Sequence, residues 1–419
     1  MKKLSILYAF VCLLMTSIAQ NNGSLVIVGG ALSGENKQVY TKFIELCGGI
    51  KDCFISIVPS ASGCAISSAN SFKNNLIKYG VKPENIYIAP ISVVDCEDTK
   101  DVDESQWIEN ANNQAIADTI SKSTGVWFTG GDQSRTIKAL RNTDGTNTPV
   151  LTAILQAYQN GAVIGGSSAG AAIMSPLMIT GGVSISALKY GISDKYIDKE
   201  QQDNGPLTFD KGLGFFTYGI VDQHFDRKSR LGRLIVACVL NSENFRFGFG
   251  IDENTALVYY SATHQIEAIG VGGITIVDAN KAVYSKGKYY SYDSVYISYI
   301  EQNDKYNLKT AEFLINPLKT LTNSNEYYSI KNTVQSGIFS SYSATYKDLI
   351  NYKLIDNKAT NKVVTYCIDD DDFALEITFS KTIKTKGFWT NKIASADNYS
   401  FLNVKTSIKP VKIKISRLK

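Results

Sequence analysis

The sequence predicts an α/β fold with a mainly parallel sheet, extended at its C-terminal end by a β-rich region. Three observations predict it. Short apolar runs alternate with helical apolar spacing through the first part of the chain. The residue words with chemical character fall just past the ends of those runs. From about Asn280 the texture turns to Tyr, Lys, Ser, Thr and Asn with strand-like alternation. Such strand and helix alternation implies right-handed crossovers and a site at the strands' carboxyl ends.

Taken in order, Met1-Lys-Lys, the apolar run Leu4 to Leu14 and Ser17-Ile-Ala19 form the three parts of a secretory signal peptide. Residues 1–19 are therefore expected to be removed, leaving a secreted or periplasmic protein. The apolar run is too short for a comfortable membrane span, and no later segment is long enough. Strands are expected at Leu25–Val28, Phe54–Val58, Ile86–Ala89, Val126–Thr129 and Ala162–Ile164, each an apolar run of the kind buried on both faces. Helices are expected at Val39–Leu46, Ala69–Tyr79, Asn110–Ser121 and Val150–Gln159. With 419 residues, 44% hydrophobic, the chain can bury one large core or two ordinary ones, and its length favours two domains, 20–300 and 301–419. Alternation in Ala374–Phe379 and Val411–Ser416 marks strands of the second. Asp369–Asp372 lacks the ordered spacing of a calcium loop and reads as a solvated acidic turn.

Charge and cysteines narrow the class. The net charge of +4, which loses two more with Lys2 and Lys3, argues against a nucleic-acid partner. Cys47, Cys53, Cys64 and Cys96 cluster early, so one or two bridges are expected there in an oxidising space, whereas Cys238 reads as a buried thiol. With no C-x-x-C spacing and no nearby histidine, a zinc site is not expected.

The densest signal is Gly165-Gly-Ser-Ser-Ala-Gly-Ala-Ala-Ile-Met174, directly after the run ending at Ile164. Gly166 to Gly170 fits G-x-S-x-G, which turns a strand sharply into a helix and forces the central side chain out of the bend. Ser168 is thus the candidate nucleophile, and the helix that follows offers free N–H groups to an oxyanion. Three more words follow the same logic: Gly125–Gln133 ends a strand in Gly130-Gly131, Val221-Asp-Gln-His-Phe225 places a histidine after an apolar run, and Gly248–Ala256 is a strand-to-loop junction with acidic residues. Only His224 and His264 can supply an imidazole base, and His264 sits in what reads as a hairpin loop at the surface. The plainer alternatives are a structural turn serine, a half-buried strand-end histidine, and Arg230 and Arg233 as the solvated face of a helix.

These words in this order resemble the cyanophycinase branch of the serine peptidases that also contains the aspartyl dipeptidase peptidase E, from about Leu25 to Asp278. The resemblance implies a flavodoxin-like α/β core related to class I glutamine amidotransferases, a serine nucleophile, no cofactor and no metal, and a homodimer. It implies release of β-Asp-Arg dipeptides from the polymer cyanophycin. It makes Ser168 the nucleophile and His224 the base, with the Gly131 and Ala169 amides as oxyanion hole. Gln133, Asp222, Lys228, Arg230 and Arg233 fall on substrate-binding positions. There a guanidinium would hold the substrate's free α-carboxylate, and Asp222 and Gln133 would face its arginine.

Two departures stand out. Lys228 replaces the first of three family arginines, keeping the charge and losing the fork. The segment in which the family's triad acid is sought, Gly181–Leu188, holds no carboxylate, and alignment puts Ser186 there. A missing acid would cost about 10⁴-fold in turnover. An insertion, Lys189 to Lys211, carries Asp194, Asp198, Glu200 and Asp203, any of which would have to fold back to serve. The sequence thus supports a secreted serine exopeptidase of cyanophycinase type, a peptidase for other α-aspartyl or isoaspartyl peptides, or a non-catalytic peptide or polymer binder.

Overall fold

The computed structural model describes residues 23–194, 203–331, 334–335, 345–370, 372–393, 397–414 and 416. The expected signal peptide, and Asp198 and Glu200 of the insertion, lie outside the described residues. Five parallel strands form as the apolar runs predict: β1 (Leu25–Val28), β2 (Ile55–Val58), β3 (Ile86–Ile88), β4 (Gly125–Phe128) and β5 (Val163–Ser167), in the spatial order β3, β2, β4, β5, β1. This is a doubly wound order in which the chain's first strand occupies the far place. Four antiparallel strands continue past β1, beginning with Thr255–Tyr260, which gives the α/β core a mixed sheet.

The helices cover both faces because their apolar stripes demand it. In Lys37–Leu46, Val39, Tyr40, Phe43 and Ile44 are buried, the spacing of one helical face. Trp127 of β4 stacks on Phe72 of the helix Ala65–Lys78, ring centroids 4.1 Å apart, with Phe43 edge-on to the same indole. Burying each such ring contributes about 2–3 kcal/mol. The neighbouring strand makes room with Gly165, where a Cβ would lie 2.4 Å from the indole.

A second sheet carries the rest. Its strand order runs from Ile220–Asp222 through Phe247–Ile251, Ile274–Asp278, Tyr290–Ile300, Asn398–Lys412 and Phe373–Ser380 to Lys362–Asp370 and Val334–Gln335, with three further described strands paired beside this path. Within Tyr289–Tyr299, Tyr290, Tyr292 and Tyr299 point into its core. The predicted strand Ala374–Phe379 forms, whereas the alternation at Val411–Ser416 marks the end of a much longer strand that stops at Lys412.

The two sheets are joined just past the end of β1. The chain leaves the second sheet at Ile251 and enters the first at Thr255, so Asp252–Asn254 is a crossover loop. The glycines after β1 bind both sides of the seam: Gly29 accepts from the His224 N–H at 2.6 Å, and Gly30 from the Asn254 N–H at 2.8 Å. No described helix is long and apolar enough to cross a membrane.

Cys64 and Cys96 are bridged, and Cys47, Cys53 and Cys238 are buried free thiols. Beside the bridge, buried Glu104 accepts from the Ala65 and Ile66 N–H groups at 2.6 and 3.2 Å, capping the helix that follows β2.

Candidate active site

Ser168 follows β5 with φ 56 and ψ −110, a backbone conformation that costs roughly 1–3 kcal/mol and persists only where the surroundings over-determine it. They do. The Ser168 N–H donates to Val28, and the turn is so tight that a Cβ on Gly170 would lie 2.4 Å from the Phe128 carbonyl oxygen. The hydroxyl is thereby aimed at the carboxyl ends of the strands, 2.7 Å from His224 Nε2.

His224 arrives from the other sheet, just past Ile220–Asp222, and also takes a positive φ, 47. Gly30 must be glycine to let the ring in, since a Cβ there would lie 2.3 Å from His224 Cε1. Its Nδ1 is 2.6 Å from Glu253 Oε1. A carboxylate only accepts, so the shared proton sits on Nδ1, and Nε2 is left as the acceptor for the Ser168 O–H. Burial lowers the His224 pKa, with Arg230 and Lys228 adding to the effect and Glu253 opposing it. The imidazole is therefore neutral at pH 7, with Nε2 free to take a proton.

Glu253 corrects the sequence reading of the third position. Ser186 does not reach His224; its Oγ donates to the Asn204 carbonyl at 2.5 Å. The sequence marks the acidic strand-to-loop junction Gly248–Ala256 that contains Glu253, but not the residue's place beside the histidine. What brings it to the histidine is the parallel pairing of Phe247–Ile251 with Ile220–Asp222, which sets both loops side by side.

The Gly131 and Ala169 amides flank Ser168, and neither is committed to a hydrogen bond among the described residues. Gly131 has φ 141, and a Cβ there would lie 2.0 Å from the Ala61 carbonyl oxygen. The Ala61 loop in turn precedes the helix fixed by the Cys64–Cys96 bridge and Glu104.

A cavity of about 340 Å³ opens beside the serine and histidine. Gln133, Lys228, Arg230 and Arg233 line it, together with Asp203 from the insertion. Gln133 is tied by its amide nitrogen to the Ile179 carbonyl at 3.0 Å. Asp222 is the second correction, because it does not face the cavity. It is fully buried, takes the Nε and Nη2 of Arg233 in a fork, and lies 3.4 Å from Arg230 Nη1. Burial alone would raise its pKa, but Arg233 and Arg230 outweigh it and hold the carboxyl below its ordinary value. The arginines are thus no solvated helix face. Arg233 also donates to the Gly182 carbonyl and Arg230 to that of Gln223, and burial lowers the Arg230 pKa to about 10. Lys228 stands exposed at the rim with no carboxylate within ion-pair distance among the described residues. His264 is no bare surface residue either, since its Nδ1 lies 2.7 Å from the Tyr218 hydroxyl, remote from Ser168.

Residues 25–266 match the model of peptidase family S51. A cyanophycinase from Geminocystis herdmanii is 31% identical over 295 residues, covering 68% of this chain and 94% of its own length. One from Thermosynechococcus vestitus is 28% identical over 298 residues, covering 69% and 80%. A crystal structure of a peptidase from an acI-B1 actinobacterium superposes with a TM-score of 0.44 at 21% identity, covering 63% of this chain and 93% of that one. By a match that spans more than half of its sequence, the chain belongs to peptidase family S51 and is a serine-type, cyanophycinase-like peptidase.

Proposed function

We propose that the chain is an exported serine exopeptidase that cleaves β-aspartyl-arginine linkages in a cyanophycin-like polymer, releasing dipeptides. The observation that carries this reading is the continuous line Ser168, His224, Glu253 beside a polar cavity lined by Lys228, Arg230, Arg233 and Asp203.

The geometry performs hydrolysis in two halves. Ser168 Oγ attacks the scissile carbonyl while His224 Nε2 takes its proton, and Glu253 holds the imidazolium that forms. The oxyanion falls between the Gly131 and Ala169 N–H groups, each contributing about 3 kcal/mol in the transition state. His224 then gives the proton to the leaving amine as the C–N bond breaks, and water repeats the cycle on the acyl-enzyme. A β-linked aspartyl unit leaves a free α-carboxylate for the Lys228 ammonium, with Arg230 and Arg233 behind it. With Asp222 buried away from the cavity, the lining carboxylate open to the substrate's guanidinium in this reading is Asp203. The Cys64–Cys96 bridge and the N-terminal sequence support export.

The test is release of Asp-Arg dipeptide from purified cyanophycin, with Ser168→Ala beside the natural chain. Release by the natural chain alone supports substrate and nucleophile together. Hydrolysis of α-aspartyl or isoaspartyl peptides instead supports the second reading, which the unforked Lys228 favours. Binding of the polymer with no hydrolysis of any of these would favour a binder, a reading that Glu253 at His224 speaks against.

A further inference from the structure

The loop that carries Glu253 is anchored from a part of the chain far beyond the family match. Asp252, next to Glu253, has its side chain almost wholly buried, and its Oδ2 accepts three hydrogen bonds: from the Gly273 N–H at 3.0 Å, the Tyr299 hydroxyl at 2.9 Å and Lys347 Nζ at 2.8 Å. Lys347 belongs to the short helix Tyr346–Ile350 of the C-terminal region and is itself mostly buried, its ammonium 4.9 Å from the centre of the Tyr299 ring. Among the described residues it is the cation paired with Asp252. The other charged or titratable groups that bear on this carboxyl are Tyr299, Tyr346, Asp226 and the buried Glu301, none of them positive, and Glu301 also feels Lys347.

We propose that Lys347 is a positioning residue for the hydrolysis: by neutralising Asp252 it fixes the crossover loop that holds Glu253 against His224. The inference rests on the reading of Ser168, His224 and Glu253 as the catalytic line. Its physical basis is that a buried carboxylate without a cation must either take a proton or seek water. Burial already raises the Asp252 pKa, and Lys347 opposes that rise. Either response loosens Oδ2 from Gly273 and Tyr299 and shifts the adjacent Glu253. The Thr255 hydroxyl, bonded to the Glu253 carbonyl at 3.0 Å and accepting from the Gly272 N–H at 2.8 Å, moves with it.

The chain has two histidines, so the ring nitrogens of His224 can be titrated directly by NMR in the full chain, with no substrate and with His264 as internal control. Glu253 raises the His224 pKa. Lys347→Met is therefore expected to lower the His224 midpoint by about one pH unit, toward that of Glu253→Gln, with His264 unmoved and Lys347→Arg like the natural chain. Loss of a distant positive charge alone would raise the midpoint, so the sign separates positioning from through-space electrostatics. On the polymer, kcat should fall at least about tenfold with KM within about twofold. An unchanged or raised midpoint in folded Lys347→Met overturns the inference. If that variant does not fold, Tyr299→Phe, which removes a neutral partner from the same oxygen, should give a smaller shift of the same sign, and no shift overturns the inference equally. Should Glu253→Gln leave the midpoint in place, the catalytic reading falls too; a shift there without one in Lys347→Met sinks this inference alone.

Discussion

Replacing Asp222 by Asn leaves the shape of the carboxylate and removes its charge from between two guanidinium groups. Asp222 is wholly buried, the Arg233 side chain is 5% exposed and that of Arg230 13%. Arg230 can turn toward cavity water, but Arg233, also tied to the Gly182 carbonyl, cannot, so the Arg233 pair sets the magnitude. Stranding one buried charge in this way costs about 3–5 kcal/mol. Urea unfolding at pH 7 should show that loss. The pH dependence follows from the depressed folded-state pKa of Asp222. A carboxyl held lower in the folded state than its unfolded value, about 3.9, contributes stability that is fully present above that value and is lost as pH falls through the folded one. The gap between natural chain and variant should therefore be constant from pH 7 to pH 5 and close below about pH 4. A gap under about 1 kcal/mol at pH 7, or one that persists unchanged at pH 2, refutes the account of Asp222 as the buried counter-ion of the arginines.

Glu253→Gln should cut kcat about 10²- to 10⁴-fold with little change in KM and move the acid limb of the rate profile to lower pH, measured by dipeptide release across pH 5 to 9. Gly131→Ala meets the Ala61 carbonyl and a positive φ, so turnover should drop by at least about 10²-fold through displacement of one oxyanion donor, read as kcat in a variant whose melting is checked beside it. Lys228→Met should raise KM about tenfold with kcat nearly kept, and Lys228→Arg should lower KM, because the forked cation restores bidentate carboxylate binding; steady-state kinetics on Asp-Arg oligomers decide it. Removing the Cys64–Cys96 bridge by paired Ser substitutions should lower stability by about 2–4 kcal/mol in urea, and reductant should do the same to the natural chain.

The parallel strands and the nucleophile were legible because both obey local rules. Apolar runs such as Leu25–Val28 can only be buried strands, and Gly166 to Gly170 permits one tight turn. His224 was legible by elimination between two histidines. Glu253 was not, because it lies 29 residues from His224 in the chain and reaches it only through the pairing of Phe247–Ile251 with Ile220–Asp222. The role of Asp222 is hidden for a related reason: a carboxylate eleven positions from Arg233 reads the same whether it faces substrate or the guanidinium, and only burial decides. Nothing in the C-terminal sequence marks Lys347, since a lysine in an ordinary helical turn carries no local sign of a partner 95 residues away.

The serine and its base belong to different sheets, joined along Gly29 and Gly30. Their 2.7 Å separation is therefore a gauge of how those two layers sit against each other, and not a property of either alone. Since a 1 Å misplacement of reacting groups can cost about a hundredfold in rate, a slight slippage along that seam silences the enzyme while every strand remains intact. Inactivation and unfolding should part company on warming, with hydrolysis failing several degrees before the secondary structure melts.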